Sequence, residues 1–160
     1  MRIVVVLVSV LGFAAGDAHA DTKLAKTAKL SLDVPATYTV KVTDDTMKGE
    51  SKDKEVALMV WTIDSADVPA TEKKLEGELY SAVASLKWQK PTTGKVHGLA
   101  AAYVDGIGHA VGGDVDIKAQ LVGPTKAKKV LLVVLAVAHA KLGAHKAEVK
   151  ALFDSVQPAK

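Results

Sequence analysis

The run Val130–Ala138 carries no polar side chain. It is rich in β-branched valine, and it is far shorter than the ~20 residues a membrane-spanning helix needs. It therefore reads as a strand. A strand apolar on both faces must be covered on both faces, so it belongs at the centre of a sheet with a layer above and a layer below. The remainder of the chain has to supply those neighbours and layers.

The two preceding segments supply the nearest neighbours. Leu99–Asp105, extending to His109, reads as one strand, and Gly112-Gly113 as a turn that uses positive φ. Val115–Val122 alternates, with Val115, Ile117, Ala119 and Leu121 on one face and Asp116, Lys118 and Gln120 on the other. Gly123-Pro124 and a lysine-rich loop lead into Val130. Together these form an antiparallel meander over Leu99–His139.

Upstream, Lys29–Val34 alternates, with Leu30, Leu32 and Val34 inward and Lys29, Ser31 and Asp33 outward, and Pro35 stops it. Tyr38–Val42 is a second strand. Thr43–Glu55 is the most polar stretch and reads as a mobile loop or short exposed strand. Its Asp44, Asp45, Glu50 and Asp53 lack the spacing of a calcium loop. Val56–Asp64 is apolar on both faces, hence another interior strand. Ser65 or Asp67 is placed to cap a helix with Pro69 in its first turn. Leu75, Leu79, Val83 and Leu86 lie at helical spacing, which predicts a helix to about Leu86. Gly77 weakens it or marks a close contact. Lys87–His97 reads as an edge strand broken by Pro91 and a Thr92-Thr93-Gly94 turn. A closing helix is predicted from Gly143 to Val156, with Val149, Leu152, Phe153 and Val156 on one stripe, and Pro158 ends the fold. The order strands, helix, strands, helix implies an α+β domain, a mostly antiparallel sheet with two main helices packed on it.

The first twenty residues read as a cleaved signal peptide. Arg2 is the positive region, Ile3–Phe13 the apolar region, and Ala18-His19-Ala20 the cleavage site, with a cut after Gly16 as the second choice. Residues 21–28 form a flexible leader and 29–157 the single domain. The expected location is periplasmic or extracellular, soluble, without a transmembrane segment in the mature chain. There is no cysteine, which excludes a lipoprotein, disulfides and thiolate chemistry. Net charge is +3 and comes from lysine, since Arg2 is the only arginine and asparagine is absent. Such a chain has no guanidinium to read a base or clamp a phosphate, so nucleic acid is not an expected partner.

No catalytic set stands out. Gly106-x-Gly108 with Gly112-Gly113 does not open a helix after a parallel strand, so it is no dinucleotide fingerprint; the glycines suit a bend or bulge. No Gly-x-Ser-x-Gly is present. His109, with Asp105, Asp114 and Asp116 around the same hairpin, is the best metal-ligand set, although its spacing matches no standard motif. His139 and His145, six apart, are placed to meet across a turn, or each to make an ordinary hydrogen bond. No cofactor is expected. Lys126, Lys128 and Lys129, with Lys141, make a small basic feature open to solvent.

Several features together carry a resemblance. Leu30-Ser31-Leu32-Asp33-Val34-Pro35 opens the domain; a helix follows the strong apolar strand; Val96-His97-Gly98-Leu99-Ala100-Ala101 enters the long hairpin; Leu152-Phe153-Asp154-Ser155-Val156 closes the last helix. The layout resembles the PsbP-like fold, shared by the extrinsic photosystem II protein PsbP, a Ran-binding nuclear import protein and bacterial secreted proteins of unknown role. Pro35-Ala36-Thr37-Tyr38 stands where such proteins usually have Pro-x-x-Trp. The resemblance implies an α/β/α sandwich over residues 28–157. It implies no active-site residues, since the group has no common active site; its members mainly dock onto larger partners. The expectation is an exported, non-enzymatic domain that binds another protein. The alternative is an exported small-ligand or metal-binding protein.

Overall fold

The central strand is where the apolar run puts it. In a computed structural model, which describes residues 30–43 and 45–158, Lys129–Ala138 (β9) lies in the middle of an antiparallel sheet. The chain reaches it through Leu30–Ser31 (β1), Tyr38–Val42 (β2), Thr46–Ser51 (β3), Val56–Asp64 (β4), helix Val68–Ala82 (α1), Ala84–Trp88 (β5), Thr92–Val96 (β6), Leu99–Ala110 (β7) and Gly113–Val122 (β8). After β9 come a 3-10 turn, His139–Lys141, helix Leu142–Asp154 (α2) and Gln157–Pro158 (β10). The sheet order is β2-β3-β4-β9-β8-β7-β5, with β6 also paired to β7. The predicted signal peptide and leader, Asp44 and the last two residues lie outside the described residues.

The period-2 geometry of β9 sends its odd and even residues into two cores. Leu131, Val133, Leu135 and Val137 pack with Leu58 and Val60 of β4 and with Val149, Leu152 and Phe153 of α2. Leu132, Val134 and Ala136 pack with Ala57 and Met59 of β4, Ile117 of β8 and Leu79 of α1. One helix covers each face, so the molecule is an α/β/α sandwich, and the α+β class, the meander and the interior position of β4 follow the sequence reading.

Four local expectations are corrected. Thr46–Ser51 is a strand, the second of the two readings offered, but a full one between β2 and β4 and neither a loop nor wholly exposed: Met47, Gly49 and Ser51 alternate inward. The polarity of its outward residues hid a strand whose inward side is small and lean. The first strand is only Leu30–Ser31, paired with β10, so Pro158 belongs to a ladder rather than ending the fold, and Ser31 is buried. Thr92-Thr93-Gly94 is ladder, not turn; β5 and β6 lie end to end along one edge of β7, with Pro91 between them. Finally, α1 stops at Ala82. Val83 is extended, Ser85 has φ 54, and Val83 and Leu86 reach the core from the strand side. A helical stripe and a helix that turns into a strand across the same face bury the same residues, so spacing alone could not separate them.

The glycines of β7 make that crossing possible. A Cβ on Gly106 would stand 2.7 Å from the Trp88 ring, and one on Gly108 would stand 2.3 Å from Val83 Cγ1. They serve close approach rather than the bend the sequence suggested. The predicted hairpin turn is present but is formed by Val111 and Gly112, with Gly113 opening β8; both glycines use positive φ, 113 and 138.

Candidate functional site

The hairpin between β3 and β4 is a side-chain-braced turn. The Ser51 hydroxyl accepts from Val56 N–H at 3.0 Å and donates to Asp53 Oδ1, which also accepts from Glu55 N–H at 3.1 Å. Such short-range bonds fix a turn without regular ladder bonds. The brace uses one oxygen of Asp53 and leaves Oδ2 for other partners, while Glu55 is the last turn residue before the buried strand β4. The hydroxyl's bond holds the Asp53 carboxyl below the usual carboxylate range.

The start of α2 lies over this turn. Lys141 and His145, one helical turn apart, project from the same side. Lys141 Nζ meets Glu55 Oε1 at 3.0 Å; His145 Nε2 stands 3.2 Å from Glu55 Oε2 and 3.5 Å from Asp53 Oδ2. The ring's other nitrogen is 3.6 Å from Glu148 Oε2, and Tyr38 donates its hydroxyl proton to the other oxygen of Glu148. Side-chain exposure is 9% for His145, 11% for Glu55 and 49% for Asp53, so the cluster is buried at its base and open at Asp53. Lys141, then His145, lowers the Glu55 pKa; burial, then Glu148, raises that of Tyr38. A cavity of about 520 Å³ opens beside it, bordered by Thr37, Ser51, Lys52 and Glu148.

The hairpin residues singled out from sequence go elsewhere. His109 Nδ1 meets Asp114 at 2.9 Å, Lys118 meets Asp105 at 2.6 Å, and His139 meets Asp116 at 2.7 Å. The set is split among three pairs, two across the β7–β8 hairpin and one between β8 and the 3-10 turn. His139 and His145 do not meet. Sequence reasoning missed the Asp53–Glu55–His145 group because His145 and Glu55 are 90 residues apart. The only local signal was an acid-x-acid turn leading directly into an apolar strand.

Two grooves complete the surface. On the α2 side, an open cavity of about 700 Å³ holds Lys90, Lys118, Lys146 and Lys150 around Tyr103 and Phe153. Lys118 and Lys150 are tied to Asp105 and Asp154. On the other face, α1 buries only Leu79 fully, whereas α2 buries His145, Val149, Leu152 and Phe153. The incomplete cover leaves an apolar groove of about 290 Å³ between Leu75, Trp88, Pro91, Val104 and Leu132, rimmed by Glu72 and Glu76. Among the described residues, no helix is long and apolar enough to cross a membrane.

No protein-family model matches the sequence, and no curated protein does. Solved structures do match. The cyanobacterial PsbP (CyanoP) from Synechocystis sp. PCC 6803 superposes with a TM-score of 0.65 at 9% identity, covering 92% of this chain and 98% of its own. The Saccharomyces cerevisiae Ran-binding protein Mog1p gives 0.56 at 10% identity, covering 91% and 97%. LpqN of Mycobacterium tuberculosis, involved in cell envelope biogenesis, gives 0.51 at 13%, covering 91% and 90%. Two helices on opposite faces of one antiparallel sheet, in the same chain order and over nearly the whole length, give this chain the PsbP-like fold.

Proposed function

We propose that this chain is an exported, non-enzymatic accessory domain that binds another protein through the apolar groove beneath α1. The observation that carries this reading is the unequal cover of the sheet. The helix α2 buries four of its side chains against its face; α1 buries one and leaves Trp88, Leu75 and Val104 half-buried around a cleft that is apolar, unlike the lysine-lined cavity on the α2 side. A cleft of this kind, apolar inside with charges at one edge, suits a partner's apolar side chains better than a polar small molecule. Glu72 and Glu76 at the rim select a basic residue beside the apolar anchor. The occupant is thus a partner segment with apolar anchors and a flanking lysine or arginine. The use of the same fold by a Ran-binding protein supports docking, and its use by a protein of envelope biogenesis supports export. Export itself rests on Ala18-His19-Ala20 after the apolar run.

The test is site-specific photocrosslinking in the native cell, from position 76 on the groove rim and from position 126 in the distant lysine turn. A discrete adduct with one protein is expected from position 76 alone. Binding of that purified protein should fall at least tenfold in Val104→Lys. Adducts from both positions alike, or binding indifferent to Val104→Lys, would remove the groove from the function.

A further inference from the structure

We infer that Asp53, Glu55 and His145 form a binding site for a divalent transition-metal ion of the zinc class. The three ligand atoms, Asp53 Oδ2, Glu55 Oε2 and His145 Nε2, lie within 4.8 Å of one another. The histidine nitrogen faces two carboxylates instead of one, within hydrogen-bond distance of Glu55 and just beyond it from Asp53. The other paired histidines of this molecule, His109 and His139, sit 2.9 and 2.7 Å from their carboxylates, the range of a charge-assisted hydrogen bond. His145 Nε2 stands at 3.2 and 3.5 Å from two carboxylate oxygens at once. Ligand atoms about 2.0–2.1 Å from a tetrahedral zinc ion lie ~3.3 Å apart along each edge. The Asp53–Glu55 edge closes by a small rotation of the half-exposed Asp53.

The imidazole leads to the same place. A neutral ring has one N–H and one lone pair. Here both nitrogens face carboxylate oxygens, Nδ1 toward Glu148 and Nε2 toward Asp53 and Glu55. If Nδ1–H points at Glu148, the lone pair on Nε2 faces two anionic oxygens, and a cation between them removes that repulsion.

A supporting shell surrounds the three ligands. Each ligand has its remaining polar atom engaged: Asp53 Oδ1 by Ser51 and Glu55 N–H, Glu55 Oε1 by Lys141, His145 Nδ1 by Glu148, and Glu148 in turn by Tyr38. The His145–Glu148 contact, at 3.6 Å, is longer than a hydrogen bond but places a carboxylate where it can orient the ring. Three carboxylates face a single ammonium, Lys141, which lies on the outer side of Glu55, so the centre stays anionic. A nitrogen donor with two carboxylates suits zinc-class ions; calcium prefers six to eight oxygens. Asp53 and His145 border the 520 Å³ cavity, which gives an ion a path to the site.

The proposal departs from the sequence expectation that no cofactor is bound. It is independent of the groove beneath α1, which lies on the opposite face of the sheet. Its test is titration of the purified, EDTA-stripped protein with zinc chloride, followed by calorimetry and thermal melting, with cobalt(II) absorption reporting geometry. One zinc per chain, a rise in Tm of several degrees at a hundredfold excess over Kd, and tetrahedral cobalt bands are expected. Asp53→Asn keeps the Oδ1 acceptor that braces the turn, so it should melt like the parent in EDTA yet bind zinc at least tenfold more weakly. His145→Gln should lose binding as well; if it fails to fold, Asp53→Asn decides. His109→Ala should bind zinc as the parent does. Absence of zinc uptake at micromolar concentration, uptake unaffected by Asp53→Asn, loss in His109→Ala, or an equal response to calcium would each overturn the assignment.

Discussion

Tyr38 is the residue whose environment departs most from water. Its phenol is removed from solvent at the start of β2 and gives its proton to a hydrogen bond with Glu148. Burial first, and the adjacent carboxylate second, disfavour the phenolate and raise the pKa above the ordinary value of 10.0. The sign of the linkage follows. An unfolded tyrosine releases its proton near pH 10, whereas the folded one retains it. Above that pH the unfolded state is favoured, so this group's stability contribution is complete below about pH 10 and declines as pH rises. Of the three tyrosines, Tyr38 should stay protonated until the protein unfolds, as followed by ultraviolet absorbance. Denaturant melts should show an alkaline loss that is shallower in Tyr38→Phe. Simultaneous ionisation of all three tyrosines in the folded protein would contradict this account. From sequence Tyr38 was legible as a strand residue; its partner 110 residues away was not.

At the scale of elements, the same substitution has opposite signs at two glycines. Gly77 lies inside α1 with open space where a Cβ would project. Gly77→Ala should stabilise by ~0.5–1 kcal/mol, the ordinary helix preference for alanine. Gly108 lies where β5 crosses closely over β7, and a Cβ there meets Val83 Cγ1 and, at 3.1 Å, the backbone of Leu86. Gly108→Ala should cost roughly 1–3 kcal/mol, because the nearest atoms belong to a packed core and a strand backbone rather than to a flexible chain end. Equilibrium unfolding of the two variants checks both, and equal signs would show that the β5–β7 crossing is looser than described. The sequence showed that both positions are glycine and that Gly77 sits in a helix. It read Gly106 and Gly108 as a bend, since the strand that presses on them is brought there by residues predicted to be helical.

At the scale of the whole molecule, export is the property still to be measured. We expect the secreted form to begin at Asp21, by the small-x-small rule at Ala18–Ala20. N-terminal sequencing checks it, and recovery of intact Met1 chain in the membrane fraction would refute both cleavage and free export. What the sequence determined by itself was the plan of the fold. An uninterrupted apolar strand has to be central, its neighbours reveal their faces by alternation, and two amphipathic helices have two faces to cover. These are short-range patterns, read directly from residue order. What only the tertiary structure decided was every juxtaposition that depends on distant segments. The strand Ala84–Trp88, which begins where a helix to Leu86 was expected, depends on pairing with β7. The separation of His109, Asp105 and Asp116 depends on cross-strand register and on the position of His139. The meeting of Asp53, Glu55 and His145 depends on α2 folding back over the β3–β4 turn. Chemistry at that turn needs ligand atoms from sequence-remote elements within a few ångströms, and no local pattern encodes such a distance.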